Sequence, residues 1–108
     1  MDEAGRKKFA ETFYSRQTII KGFGEAGQEK LAKSRIAIVG AGGLGSVSSL
    51  YLTLAGVGYI RLIDQDTVEA HNLHRQILYN PDDLHYPKVE AAAKHLQKHN
   101  PLVQVEAI

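Results

Sequence analysis

The spacing of apolar and polar positions divides the chain into alternating elements. Two short, continuous apolar runs, RIAIVG at 35–40 and YIRLID at 59–64, are typical of buried parallel strands. Between them, residues 44–56 (LGSVSSLYLTLAG) favour a helix that ends at Gly56 and Gly58. A strand, a helix and a second strand in this order predict one right-handed parallel crossover.

Helical spacing predicts further elements on both sides of this crossover. It covers residues 9–21 and again 27–34, which we interpret as a helical N-terminal arm. Pro87 begins another helix over 87–100, and residues 103–108 form a third strand. The predicted fold class is α/β: the N-terminal half of a Rossmann-like doubly wound parallel sheet with about three strands, preceded by the arm.

We expect two units, the arm at residues 1–34 and the half-sheet at residues 35–108. A parallel sheet that stops after three strands is a poor end point, so we expect a piece of a longer protein; the alternative is a self-sufficient small domain. Residues 66–86 are too irregular for one long element and contain a short predicted helix at 73–78. We interpret them as a functional loop region.

Composition narrows the function classes. The chain has 13 basic and 12 acidic residues, a balance that argues against a dedicated nucleic-acid surface. It has no cysteine, which excludes disulfides, thiolate-zinc sites and a cysteine nucleophile within these residues. No apolar run approaches the roughly 20 residues of a membrane span, and the N-terminus lacks a signal-peptide core. We therefore predict a soluble, cytoplasmic protein with no nucleic-acid or membrane partner.

A glycine-rich turn follows the first strand. Gly40, Gly42 and Gly45 fit the G-x-G-x-x-G spacing, with Gly43 beside them. We expect Gly40 to allow the tight turn, Gly42 to let a phosphate approach, and Gly45 to let the helix pack on the sheet. Asp64 ends the next strand, where a carboxylate can accept the ribose hydroxyls. These features predict nucleotide binding; the alternative is a turn that binds nothing, and the choice between ATP and NAD stays open.

Charged and amide side chains after the second strand favour ATP. An arginine and a lysine near the ribose acid suit a triphosphate whose charge must be stabilised. The alternative for Arg75 and Lys88 is surface solvation, or pairing with Asp82, Asp83 or Glu90. The candidates in this segment are Asp64, Asp66, Asn72, Arg75, Gln76 and Lys88.

The histidines and tyrosines suggest no further chemistry. His95 and His99 lie four residues apart on a predicted helix, but no carboxylate has the spacing that a zinc site needs. We predict a solvated helix face and no metal ligands in the chain. The tyrosines are interpreted as packing residues: Tyr14, Tyr51, Tyr59, Tyr79 and Tyr86.

Four ordered motifs extend these observations to a family. They are YSRQ, GFGEAGQEKLAKSRIAIVGAGGLGS, AGVGYIRLIDQDTVEAHNLHRQILY and PKVEAAAKHLQKHNP. Together, over about residues 12 to 108, they resemble the adenylating enzymes of ubiquitin-like proteins in the MoeB/ThiF/HesA group. The resemblance implies a homodimer that binds ATP with Mg²⁺. It also implies adenylation of the C-terminal Gly-Gly carboxylate of a small sulfur-carrier protein, with release of pyrophosphate.

The resemblance also implies roles for individual residues. The glycines cover the nucleotide, Asp64 holds the ribose, Asn72 and Arg75 contact the phosphate region, and Lys88 contacts phosphates. Arg16 is expected to reach across a dimer into the partner's site, so the catalytic candidates are Arg16, Arg75 and Lys88. The family's magnesium-binding aspartate and zinc cysteines lie beyond residue 108. The predicted nucleotide-binding residues are Gly40, Gly42, Gly43, Gly45, Asp64, Asp66, Asn72, Arg75, Gln76 and Lys88.

Two other functions remain open at this point. One is a fragment of an NAD-dependent oxidoreductase, because glycine turns of this kind also serve NAD. The other is a non-catalytic scaffold that binds a nucleotide or a second copy without turnover. Without a cysteine, the chain cannot form a thioester with its substrate.

Overall fold

A computed structural model describes residues 1–108, and its elements alternate as the sequence predicts. Three helices precede the sheet, a fourth connects the first strand to the second, and a fifth connects the second strand to the third. The helices are α1 (Glu3–Phe13), α2 (Ser15–Thr18), α3 (Gly24–Lys33), α4 (Gly43–Ala55) and α5 (Lys88–His99), and the strands are β1 (Arg35–Val39), β2 (Tyr59–Ile63) and β3 (Gln104–Ala107).

The three strands form one parallel sheet in the order β1-β2-β3. Ile60 of β2 is level with Ile36 of β1 and Val105 of β3, so the carboxyl ends of the strands lie along one edge. Ile60 and Leu62 are fully buried, as is Leu96 of α5, and they form the centre of the core. The fold class predicted from the sequence, a Rossmann-like α/β sheet with about three strands, is confirmed.

The arm is divided differently from the prediction. The single helix expected over 9–21 is wrong, because the chain leaves the helical conformation at Tyr14, between α1 and α2. The Tyr14 ring is buried, and its hydroxyl accepts a hydrogen bond from Asn100 Nδ2 at 2.7 Å. Gln17 then donates from Nε2 to the Ala55 carbonyl at 2.7 Å. These contacts attach the arm to the carboxyl ends of α5 and α4.

The segment between β2 and α5 contains two 3-10 turns, and the helix predicted over 73–78 is wrong. The turns are Ala70–Asn72 and Pro81–Asp83. Each is closed by paired side-chain caps, from Glu69 and Asn72 in the first and from Asn80 and Asp83 in the second. Polar side chains that bond to nearby backbone compete with helix formation, which explains the short turns.

One end of the predicted solvated face of α5 is paired. His95 Nε2 lies 2.8 Å from Asp83 Oδ2, and both side chains are largely buried, so the prediction is wrong for His95 and holds for the exposed His99. The carboxylate comes from outside the helix, where spacing along the helix could not reveal it. The packing prediction is likewise wrong for the exposed Tyr51 and Tyr86. None of the helices combines the length and apolarity that a membrane crossing requires.

Candidate functional site

The glycine turn lies at the carboxyl edge of the sheet, between β1 and α4. Gly40 has a φ of +99°, which strongly favours glycine, and its amide donates to the Ile63 carbonyl at 2.8 Å. A Cβ on Gly45 would lie 1.9 Å from the Gly40 carbonyl oxygen. Gly45 therefore permits the helix to approach the turn itself, whereas we expected an approach to the sheet.

The start of α4 is open. The helix begins after Gly42, and no side chain caps its first turn. A Cβ on Gly43 would meet no atom within 4 Å, so there is free space beside this turn. The amide groups of a first helical turn lack partners within the helix and carry partial positive charge, which suits an anion.

Asp64 directly follows β2, the strand that the two crossovers share. Its Oδ2 accepts from the Ala41 amide at 2.7 Å, and its Oδ1 accepts from the Asp66 amide at 2.8 Å. Partial burial alone would raise the pKa of Asp64, but these amides and the nearby charge of Lys88 outweigh it and lower the pKa. Because each carboxylate oxygen has about two acceptor positions, both can still accept a hydroxyl.

Lys88 brings a buried cation to the same edge. Its side chain is only 7% exposed, and its one ion pair is to Asp66, with Nζ 4.0 Å from Oδ2. It does not pair with Asp82, Asp83 or Glu90, so neither alternative considered for this lysine holds. The Asp64 carboxylate is also near, but a buried ammonium whose single ion pair is 4.0 Å long would still gain from another anion that approached it.

Two surface depressions meet at Asp66. One, of about 350 Å³, is lined by Gly40 and Asp64 among others, and the second, of about 300 Å³, by Asn72 and Lys88. The fold thus brings most of the predicted polar residues to one continuous edge. The largest cavity, about 820 Å³, lies elsewhere, against α1 and α3, and contains none of the predicted site residues.

The remaining candidates lie in residues 66–86, the loop segment between β2 and α5, and they differ in exposure and contacts. Asn72 is buried, and its Oδ1 accepts from the Glu69 amide at 3.0 Å. Gln76 is buried behind Gly42, and its Oε1 has no hydrogen-bond partner. Arg75 is exposed, with Nη1 donating to the His71 carbonyl at 3.0 Å, so the surface alternative for it stays open.

Arg16 lies far from the glycine turn of its own chain. It is an exposed residue of α2, next to Gln17, which is bonded to the carboxyl end of α4. The glycine turn is at the other end of that helix, whose 13 residues span about 20 Å at about 1.5 Å per residue. The structure therefore separates Arg16 from the other site residues.

Sequence reasoning missed one residue of this site. Tyr79 is buried, and its hydroxyl donates to the Ala41 carbonyl at 2.6 Å. Burial, and then the carboxylates of Asp64 and Asp83, raises the pKa of Tyr79, so the hydroxyl keeps its proton. No spacing rule marks a tyrosine that contacts a turn so distant in the chain.

Comparison with known proteins matches this architecture. The ThiF family profile matches residues 14–108. The "Sulfur carrier protein adenylyltransferase" of Thermus thermophilus is 49% identical over 94 residues, which are 87% of this chain and 35% of that protein.

Solved structures show the same likeness. The crystal structure of E. coli MccB with ATP has a TM-score of 0.74 and 40% identity, covering 75% of this chain and 24% of MccB. The E. coli tRNA N6-threonylcarbamoyladenosine dehydratase TcdA has a TM-score of 0.81 and 31% identity, covering 99% of this chain and 42% of TcdA.

The chain spans about a third of the Thermus relative, including the turn, Asp64 and the loop segment. With a family match over residues 14–108, the resemblance seen in the four sequence motifs is confirmed, and the chain belongs to the ThiF family.

Proposed function

We propose that the chain is the nucleotide-binding half of an ATP-dependent adenylyltransferase. Its substrate would be the C-terminal Gly-Gly carboxylate of a ubiquitin-like sulfur-carrier protein. The observation that carries the proposal is the buried ammonium of Lys88, which lies beside Asp66 with a single ion pair at 4.0 Å. The name of the Thermus relative and the ATP-bound MccB support the same activity and nucleotide.

In this proposal, different residues of the chain contact different portions of ATP. Asp64 would accept the ribose hydroxyls with its remaining acceptor positions. The open first turn of α4 and Gly43 would receive a phosphate group, and Lys88 would contribute a positive charge to the triphosphate. Asn72 and Arg75 would contact the phosphate region, Arg75 after its exposed side chain turns inward.

The chemistry requires little from the protein beyond position and charge. The attacking carboxylate is already ionised at neutral pH, so no general base is needed. It attacks the α-phosphorus of ATP, the bond to the bridging oxygen breaks, and pyrophosphate leaves. The cations stabilise the developing charge and reduce the repulsion between two anions. Mg²⁺ would neutralise part of the triphosphate charge, and no three His, Asp or Glu side chains of this chain cluster to hold it.

A dimer would complete the site. The arm, residues 1–34, would contact a second copy and bring Arg16 to the partner's nucleotide. The attachment of α2 to the far end of α4 supports action in trans, because an arginine cannot span about 20 Å to its own turn.

Carrier-dependent exchange of labelled pyrophosphate into ATP tests this function. The assay uses the full protein and a sulfur-carrier protein ending in Gly-Gly. Exchange is expected with that carrier and not with a carrier lacking the last glycine. Tight ATP binding without exchange for any carrier tested would instead favour the scaffold function.

A further inference from the structure

Ala41, in the centre of the glycine turn, is held through both of the peptide groups that flank it. Its amide donates to Asp64 Oδ2 at 2.7 Å, and its carbonyl accepts from the Tyr79 hydroxyl at 2.6 Å. Ala41 itself is only 2% exposed, so water cannot readily replace either partner. The Asp64 bond fixes the peptide between Gly40 and Ala41, and the Tyr79 bond fixes the peptide between Ala41 and Gly42.

The tyrosine does not act from an isolated position. The Tyr79 amide donates to the Gln76 carbonyl at 3.1 Å, and the Gln76 side chain lies against Gly42, where a Cβ would meet its Nε2 at 3.6 Å. One turn of the loop segment therefore supports both Ala41 and Gly42 from behind. The same segment also contains Asn72 and leads directly to Lys88.

We infer that Tyr79 is a positioning residue whose hydroxyl holds the glycine turn in the conformation that receives the phosphates. It does so by bonding to the Ala41 carbonyl, and it thereby couples the turn to the loop segment. The inference rests on the proposed function, since it concerns the same nucleotide site. Tyr79 does not touch the substrate; it acts through the backbone of Ala41 and Gly42.

The physical reason is the cost of an unpaired buried carbonyl. Without the hydroxyl, the Ala41 carbonyl would have to stay unsatisfied or turn toward water. If the carbonyl turned, its peptide group, which includes the Gly42 amide, would rotate with it. This rotation would misdirect the amides at the start of α4. A helix N-terminus binds an anion well only when these amides are directed at it in advance.

The test compares Tyr79→Phe with Tyr59→Phe. Tyr59 is also a buried tyrosine, and its hydroxyl bonds to Glu106, but it lies at the amino end of β2, away from the turn. In the full protein, Tyr79→Phe is expected to raise the Kd for ATP with Mg²⁺ about tenfold and to increase the KM for ATP more than it lowers kcat. Tyr59→Phe is expected to change stability with little change in Kd, KM or kcat.

Amide hydrogen exchange gives a readout that does not depend on ATP. Exchange of the Ala41 amide, which is buried and bonded to Asp64 Oδ2, should be faster in Tyr79→Phe than in Tyr59→Phe, even at equal melting temperature. Should Tyr79→Phe fail to fold, fluorotyrosine at position 79 keeps the hydroxyl as a stronger donor and should slow the same exchange. Unchanged exchange at Ala41, with stability alone reduced, would overturn the inference. Failure of the wild-type protein to bind ATP would instead contradict the proposed function.

Discussion

Asp64 has a structural part in the fold and a proposed part in nucleotide binding. It lies at the end of β2, and its two oxygens hold the Ala41 and Asp66 amides. The sequence predicted the position of this carboxylate, because a strand followed by an acid is a local pattern. It did not predict the backbone contacts, because they join residues that only the folded sheet brings together.

The lowered pKa of Asp64 predicts a pH dependence of stability. A carboxylate with a depressed folded-state pKa stabilises fully above its unfolded value of about 3.9, and that contribution is lost as pH falls through the folded value. The Asp64→Asn variant should therefore have a lower free energy of unfolding than wild type at pH 7. In urea titrations, the difference should shrink toward pH 2; a constant difference would contradict the assignment.

Missed residues share one physical cause. Tyr79 with Ala41, and His95 with Asp83, are contacts between elements, so spacing along the chain carries no sign of them. Lys88 is intermediate: its proximity to phosphates was implied by the family resemblance, whereas its burial appeared only in the fold.

Two glycines in the first turn of α4 differ in how far the fold requires them. Gly45 has no room for a Cβ, because the Gly40 carbonyl oxygen lies in its way, whereas Gly43 meets nothing. The helices and strands of the half-sheet were predictable from periodicity. The break in the helix at Tyr14 was not predictable from periodicity, because it accompanies burial of the Tyr14 ring in the folded chain.

The contrast between these glycines predicts a difference in stability. Gly45→Ala should lower the free energy of unfolding by about 1 to 3 kcal/mol, the range for overpacking against a fixed neighbour. Gly43→Ala should change it by well under 1 kcal/mol. Chemical denaturation of both variants provides the comparison, and equal losses would mean that the close approach of Gly45 to Gly40 is misassigned.

In the whole molecule, Arg16 is separated from the glycine turn of its own chain. This separation indicates how the arm, residues 1–34, would contribute to a nucleotide site. The family resemblance implies that Arg16 acts in a partner's site. The fold keeps it at the far end of α4, where its neighbour Gln17 is bonded to the Ala55 carbonyl. The expected dimer is thus the simplest way to unite the proposed catalytic groups.

Mixed dimers test this arrangement. Arg16→Ala and Lys88→Ala should each have little exchange activity alone. Mixed in equal amounts and allowed to reassort, they should recover up to about a quarter of wild-type activity, because half of the dimers then contain one complete site. Absence of recovery, with mixed dimers shown to form, would rule out action of Arg16 in trans.

We expect ATP to bind at the carboxyl edge of this sheet. Calorimetric titration with ATP and Mg²⁺, and separately with NAD, tests it most directly. The variants Lys88→Gln and Lys94→Gln complete the comparison, because Lys94 is an exposed lysine of the same helix, α5. We predict that ATP binds and that NAD does not. Lys88→Gln should weaken ATP binding by about 1.5 to 3 kcal/mol, while Lys94→Gln should change it little. Preference for NAD, or equal affinity of both lysine variants for ATP, would contradict the account.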